Sequence, residues 1–334
     1  MMEREQQPDS FRSGNGTSCG KFILIGEHSV VFGHPAIAIP LLGVTMHAQV
    51  HREAVEPWFS SEVYDGPLAA LPDQLAGIQG ALAATLEALG ESTEGLSITL
   101  ESDVPVERGM GSSAASAGAI IRALFDYHRR EASADQLFEL VQVAERIAHG
   151  SPSGLDAVAT SARAPVHFHQ GTFADLDITL SGAVVIADTG IRGGTRHTVA
   201  ALRARHAATP TEVEPDLERL AALTNDASRC LRDNNLIELG TIFDQAHAAL
   251  SRLGVSSHEL DHLVTSARRH GAVGAKMTGG GAGGCMLALC DSVDSAQRVA
   301  KGLRSDGAER TWIHTFDAHN NSALPPYNDG EVLS

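Results

Sequence analysis

A chain of 334 residues, 43% hydrophobic and 20% charged, is long enough to bury a large core and to form two lobes of ordinary domain size, which excludes a disordered or fibrous protein. A formal net charge of -16 repels polyanions, so nucleic acid and anionic membrane surfaces are excluded as partners. Without a run of about 18 apolar residues, and with a polar, mixed-charge start, neither a spanning helix nor a secretory signal is expected, and the reading places the protein in the cytoplasm.

Cys19, Cys230, Cys285 and Cys290 show no CxxC spacing and read as reduced thiols without a role. Lysine stands only at 21, 276 and 301, with arginine supplying the remaining positive charge. A lysine at a chosen place is therefore a hint that its compact ammonium matters there.

In chain order, residues 22–25, 36–42, 44–51 and 96–101 are apolar, partly β-branched and bounded by turn residues, which predicts strands. From Ser112 the period changes: Ala117, Ile120, Ile121 and Leu124 form one helical stripe, and Leu137, Leu140, Val141 and Ala144 another, the second opened by a Ser133/Gln136 capping box. Strands are expected again at 165–169 and 183–187. Helices follow at about 215–233, 236–253 and 257–270, the last with Ser256 and Glu259 as its capping box and Gly271 as its stop. Strands at 273–277, 284–289 and 311–315, with a helix at 293–304, complete the pattern. Strands first, helices next and then a mixture predict two α+β lobes: one domain over 1–182, a second over 183–320, and a flexible tail over 321–334.

Four stretches carry chemistry. In GKFILIGEHSVVFGHPAIAIP, residues 20–40, Lys21 opens a buried strand and Glu27 and His28 stand at its end; a lysine snorkelling from a hairpin would explain the first of these as well. In PVERGMGSSAASAGAIIRAL, residues 105–124, a glycine loop runs straight into an apolar-striped helix. Its backbone N–H groups and the helix macrodipole make an anion cradle, and Gly109 and Gly111 let the chain approach an anion closely. Neither GxxxxGK[ST] nor the GxGxxG, HRD and DFG set is present, which disfavours both of those kinase architectures. In GAKMTGGGAGGCMLAL, residues 274–289, five glycines between Thr278 and Cys285 are entropically costly unless the backbone must approach something closely, although a flexible hairpin has the same pattern. In AERIAHGSPSGLDAVAT, residues 144–160, Glu145 lies on the apolar face of its helix, where a buried salt bridge or a magnesium ion accounts for it. Asp156 follows a turn-forming segment as either a first-turn dipole partner or a catalytic carboxylate.

Together these stretches resemble the GHMP kinases, most closely the branch of that family that phosphorylates mevalonate. GEHSVVFGHPAIA is similar to the first signature, GMGSSAA to the phosphate loop, GAKMTGGGAGGC to the third signature, and HGSPSGLD to the segment with the catalytic aspartate, its metal-binding glutamate eleven residues earlier as Glu145 is here. DTGIRGGTRHTVAALR, residues 188–203, resembles the substrate-side segment. The matches run in the family's order from Gly20 to about Leu289. Met110 stands where leucine is commoner, a volume-conserving change, and the stretch 53–94 shows no match.

The resemblance implies an α+β, two-lobed GHMP kinase fold, with a ribosomal protein S5 domain 2-like N-terminal lobe that binds ATP and a ferredoxin-like C-terminal lobe. The implied reaction is ATP-dependent phosphorylation of (R)-mevalonate on the route to isoprenoids. In it Asp156 is the base and Lys21 stabilises charge, Gly109, Met110, Gly111, Ser112, Ser113 and Ala114 hold the ATP phosphates, and Ser113 and Glu145 hold Mg²⁺. Glu27, His28, His149, Thr195, Arg196, Gly280 and Gly281 line the acceptor, and a homodimer is implied. The competing readings are a phosphomevalonate or homoserine kinase of the same family and a non-catalytic binding protein of the same fold.

Overall fold

The computed structural model describes residues 12–52, 56–106, 108–150 and 152–316; the tail expected over 321–334 lies outside the described residues. In chain order the elements are β1 (Ser13–Ile25), β2 (Ala36–Arg52), β3 (Trp58–Ser61), β4 (Tyr64–Pro67), α1 (Ala76–Leu89), β5 (Leu96–Ser102), α2 (Ser112–Tyr127), α3 (Ala134–His149), α4 (Leu155–Ala159), β6 (Val166–His169), β7 (Thr172–Asp175), β8 (Gly182–Asp188), α5 (Thr195–Ala208), α6 (Pro210–Arg232), α7 (Leu236–Arg252), α8 (His258–Arg269), β9 (Gly274–Met277), β10 (Cys285–Cys290), α9 (Val293–Ser305) and β11 (Arg310–Phe316). They form two compact units, each gathered from separate stretches of chain. The first takes residues 12–18, 45–103 and 113–150, the second 19–44, 104–112 and 152–316.

In the first unit the latter part of β2 pairs antiparallel with β5 from Met46↔Ser102 to Arg52↔Leu96, β5 pairs parallel with β3, and β3 turns back into β4. Helix α2 is buried on nearly every side, from Ala114 to Tyr127, as a helix without a polar face must be. Helix α3 is amphipathic. The expected capping box starts it, with Ser133 accepting from the Gln136 N–H and Gln136 accepting in return from Ser133. Helices α1 and α3 pack together.

In the second unit β8, β9, β10 and β11 form an antiparallel sheet in the order β11-β8-β10-β9, reached through a β-α-β-β-α-β succession in which a run of helices replaces the first single helix. That succession and order are the ferredoxin-like arrangement. The core strand β10 is buried at every residue, as a strand covered on both faces is. The start of β2 pairs with β6 from Ala36↔Phe168, and β6 turns back into β7.

The structure departs from the sequence reading at several points, among them β1, which begins at Ser13 and not at residue 22, and β7, which no expected strand covers. The strands expected at 36–42 and 44–51 are one strand, because Gly43 lies where β2 changes partner from β6 to β5 instead of at a turn. Helix α8 is capped by Ser257, whose side chain accepts from the Leu260 N–H, while Ser256 donates to Asp261; the helix begins one residue later than its capping-box pattern suggests. The unread stretch 53–94 holds β3, β4 and α1. Gly271, in the left-handed region at φ +98°, follows α8 where a stop was expected.

Candidate active site

Lys21 lies on β1 with only 2% of its side chain exposed, and a buried ammonium needs a counter-charge: leaving one unpaired costs about 3–5 kcal/mol. Its Nζ is 3.0 Å from Asp156 Oδ1 and donates to the Gly109 carbonyl at 3.2 Å. Asp156 sits in the first turn of the short α4, opened by Gly154 at φ +96°, and keeps 34% of its side chain exposed. One carboxylate oxygen therefore faces a fixed cation while the group as a whole stays reachable.

The glycine loop closes over the same lysine. The Lys21 N–H donates to the Met110 carbonyl at 3.0 Å, tying β1 to the loop. Gly111 has φ +74°, and a Cβ there would come 2.9 Å from Thr160 Cγ2 and 3.0 Å from Lys21 Cγ, so both backbone and space demand glycine. Helix α2 then begins at Ser112, and the first-turn N–H groups, Ser113 and Ala114 among them, have no partner within the helix.

The 278–284 loop meets the start of α5. A Cβ on Gly280 would lie 1.9 Å from Thr195 Oγ1, the Thr198 hydroxyl donates to the Gly280 carbonyl at 2.6 Å, and the Gly194 N–H donates to the Gly281 carbonyl at 3.2 Å. Thr195, Gly280 and Gly281 are thereby brought together, and Arg196 is exposed in the same helical turn.

Glu27 and His28 follow β1 in a tight turn. Glu27 is buried and ion-paired with Lys276, whose Nζ also donates to the Met277 carbonyl at 2.7 Å. Burial pushes the Glu27 carboxyl up and the Lys276 ammonium down, and their mutual attraction opposes both shifts. His28 has φ +61°, a conformation uncommon outside glycine, and is 4% exposed. Burial, reinforced by the Lys276 charge, lowers it to about 4, so the ring is neutral at pH 7. Neither ring nitrogen completes a hydrogen bond of good geometry to the protein, although the Gly280 backbone lies close enough to offset part of the shift.

In the first unit Glu145 is 2% exposed on α3, and His149 Nε2, one turn later, is 3.7 Å from Glu145 Oε2. The apolar-face position expected from the spacing is the position found. Carboxylate and serine oxygens are the donors that a hard divalent cation takes, so Glu145 and Ser113 fit Mg²⁺ chemically. Among the described residues no three His, Cys, Asp or Glu side chains converge on one point.

Sequence reasoning passed over three residues here. Lys276, one of the two lysines inside a motif, has no role assigned from the sequence; it is the partner of Glu27. Arg108, directly before Gly109, and Asp188, the first residue of the DTG string, form an ion pair at 3.1 Å. Their signals were an arginine next to a glycine loop and a carboxylate ending an apolar strand.

Comparison with known proteins gives a consistent set of likenesses. The family profile for the GHMP kinases N terminal domain matches residues 77–164, and that for the GHMP kinases C terminal region matches 227–309. The mevalonate kinase of Pyrococcus horikoshii is 32% identical over 308 residues, spanning 85% of this chain and 91% of the relative. That of Aeropyrum pernix is 32% identical over 305 residues, spanning 88% and 92%. Among solved structures, mevalonate kinase from methicillin-resistant Staphylococcus aureus is 31% identical with a TM-score of 0.71, covering 94% of this chain and all of that one. Mevalonate kinase of L. major in complex with R-mevalonate has a TM-score of 0.80 at 24% identity, covering 96% and 99%, a likeness that speaks for the fold.

Proposed function

We propose that this chain, which belongs to the GHMP kinase family, transfers the terminal phosphoryl group of ATP to the primary hydroxyl of (R)-mevalonate, giving 5-phosphomevalonate and ADP. It is an ATP-dependent phosphotransferase with an alcohol as acceptor. Relatives named mevalonate kinase, alike over most of both chains, support the acceptor. One observation carries the mechanism: a buried lysine holds one oxygen of a carboxylate that is itself one-third exposed.

In this reading Asp156 accepts the proton of the acceptor hydroxyl as that oxygen bonds to the γ-phosphorus, and the bond from phosphorus to the ADP oxygen breaks with its electron pair leaving on ADP. Lys21, 3.0 Å from Asp156 and tied to the Gly109 carbonyl, stabilises the negative charge that passes between the oxygens. The N–H groups of Gly109, Met110, Gly111, Ser112, Ser113 and Ala114 hold the ATP phosphates, as an acidic protein with three lysines must use local donors to bind a polyanion. Glu145 and Ser113 would hold Mg²⁺, which when bound neutralises phosphate charge. His28, neutral and buried, together with Glu27, His149, Thr195, Gly280 and Gly281, positions the acceptor, and the exposed Arg196 takes its carboxylate.

The proposed division into an N-terminal ATP-binding domain and a C-terminal domain at 182–183 falls between the two profile matches, which end at 164 and begin at 227. A cytoplasmic homodimer belongs to the same proposal; among the described residues no helix is long and apolar enough to cross a membrane. The deciding experiment is a coupled ADP-release assay across mevalonate, phosphomevalonate, homoserine and galactose. Mevalonate is expected to give the highest kcat/KM, and a higher value with any of the others overturns the acceptor.

A further inference from the structure

We infer that Arg108 is a positioning residue: gripped by Asp188 and Glu309, it fixes the glycine loop and, through the Gly109 carbonyl, the direction of the Lys21 ammonium. The role given to Lys21 rests on the function proposed above; the geometry of the grip does not. Arg108 Nε is 3.1 Å from Asp188 Oδ2, and Nη2 is 3.7 Å from Glu309 Oε2. Both carboxylates come from the sheet of the second unit, where Asp188 ends β8 and Glu309 immediately precedes β11. The two strands are locked in register at Asp188↔Arg310, and the Glu309 N–H donates to the Asp188 carbonyl at 2.9 Å. Asp188 is itself held by the Gly190 N–H at 2.9 Å. A planar guanidinium reaching two carboxylates anchors direction as well as charge, which an ammonium does not.

The loop needs such an anchor. Gly109 and Gly111 both have positive φ and carry no side chain with which to hold the backbone in place. The backbone of Arg108 and Gly109 is seated against the second glycine loop: a Cβ on Gly284 would lie 3.0 Å from the Arg108 carbonyl oxygen, and one on Gly109 3.4 Å from Gly279 Cα. The next carbonyl, that of Gly109, accepts from Lys21 Nζ. A chain of contacts thus runs from the sheet through Asp188, Arg108 and Gly109 to Lys21 and Asp156. Burial pushes the Asp188 carboxyl up while the Gly190 N–H and the Arg108 charge oppose it, so the carboxylate leans on the arginine for its charged form.

The test uses the full chain with Arg108→Met, Asp188→Asn, the double variant and Arg108→Lys. It measures affinity for a non-hydrolysable ATP analogue by calorimetry, the KM for ATP and for mevalonate, kcat, and thermal unfolding by circular dichroism. Arg108→Met and Asp188→Asn are each expected to weaken nucleotide binding about tenfold and to lower kcat about 10- to 100-fold, with the mevalonate KM within about twofold. The double variant is expected to be no worse than Arg108→Met, because the two residues serve one step. Arg108→Lys, which keeps the charge and the fold if the others fail to fold, is expected to lie between wild type and Arg108→Met. Folded variants with nucleotide affinity and kcat within about twofold of wild type overturn the inference, as do additive losses confined to thermal stability. The calorimetric arm needs no acceptor: a wild type that binds the analogue but leaves mevalonate unphosphorylated overturns the proposed function, while the binding of the variants still decides the role of Arg108.

Discussion

Two lysines lie buried in the second unit, each against a carboxylate, and the difference between them sorts chemistry from architecture. Lys276 and Glu27 are 0% and 1% exposed; Lys21 and Asp156 are 2% and 34% exposed. The first pair joins the turn after β1 to β9 and is closed to solvent. The second puts an equally buried cation behind a carboxylate on a five-residue helix that solvent reaches. A fully buried ion pair is weak evidence for stability, since desolvation cancels much of the attraction, but breaking one is costly because a charge is left stranded. An open pair can take part in proton transfer, and a closed one holds its surroundings.

The comparison is broken most directly at Asp156. Asp156→Asn is expected to slow single-turnover phosphoryl transfer by about 10²- to 10⁴-fold, the usual share of a positioned general base, while nucleotide binding and the fold survive. A folded variant within about tenfold of wild type removes Asp156 as the base. Glu27→Gln is expected to act the other way round: about 3–5 kcal/mol of stability is lost in urea unfolding as Lys276 is left buried without its counter-charge. The double variant Glu27→Gln/Lys276→Met is expected to recover part of that loss. Equal stability of the single variant and wild type would place the two lysines in one class.

Glu145 sharpens the same distinction from the first unit. By burial alone, at 2%, it belongs with Glu27, and the imidazole of His149 lies 3.7 Å from it. A metal role predicts that Glu145→Gln lowers turnover about 10- to 100-fold and moves the Mg²⁺ titration to higher concentration, with little change in unfolding. A structural role predicts the reverse. Measuring both on one preparation decides between them.

How much of this was legible depended on the kind of signal. Periodicity found α2, α3 and the helices from 215 to 270 because each has a continuous buried face, and the Ser133/Gln136 box is a local device complete within four residues. Helix α1 went unread although Ile78, Leu82, Leu86 and Leu89 make a stripe ending at Gly90. Gly77 and Gly80 weaken its propensity, and no side chain caps its start. Gly77 lies where α1 comes close to the α3 backbone, since a Cβ there would lie 3.1 Å from the Ala144 carbonyl oxygen. The burial of Lys21 and Glu145 and the first-turn position of Asp156 follow from motif and helical phase. The pairing of Glu27 with Lys276, 249 residues apart, and that of Arg108 with Asp188 were not, because one sequence gives residue types and local spacing but not which distant charges meet.

The smallest expected effect separates burial from the influence of Lys276. His28 and His247 are lowered to about 4 by burial, with the Lys276 charge adding to the shift. His247 accepts the Met277 N–H at Nδ1 and so is neutral in the fold. His314, enclosed by Phe22 and Phe316, is lowered to about 4 by burial alone. A histidine whose folded pKa lies below its unfolded value near 6.5 leaves stability intact above about pH 6.5 and removes it as the pH falls toward 4, because the unfolded chain takes up the proton first. Glu27 and Asp188, pushed up by burial, pull the other way, so the histidine contribution is read as a difference between variants. His314→Phe keeps the aromatic volume and removes the proton site. Relative to wild type it is expected to gain stability on acidification, by about 1.4 kcal/mol between pH 7.5 and 5.5 in urea unfolding. Its gain should persist unchanged in the Glu27→Gln/Lys276→Met background, since no lysine bears on that ring. A difference that stays flat with pH would show that His314 takes up its proton in the fold as readily as in the unfolded chain, and a gain that vanishes with Lys276 would show that the closed pair governs more of the unit than its contacts account for.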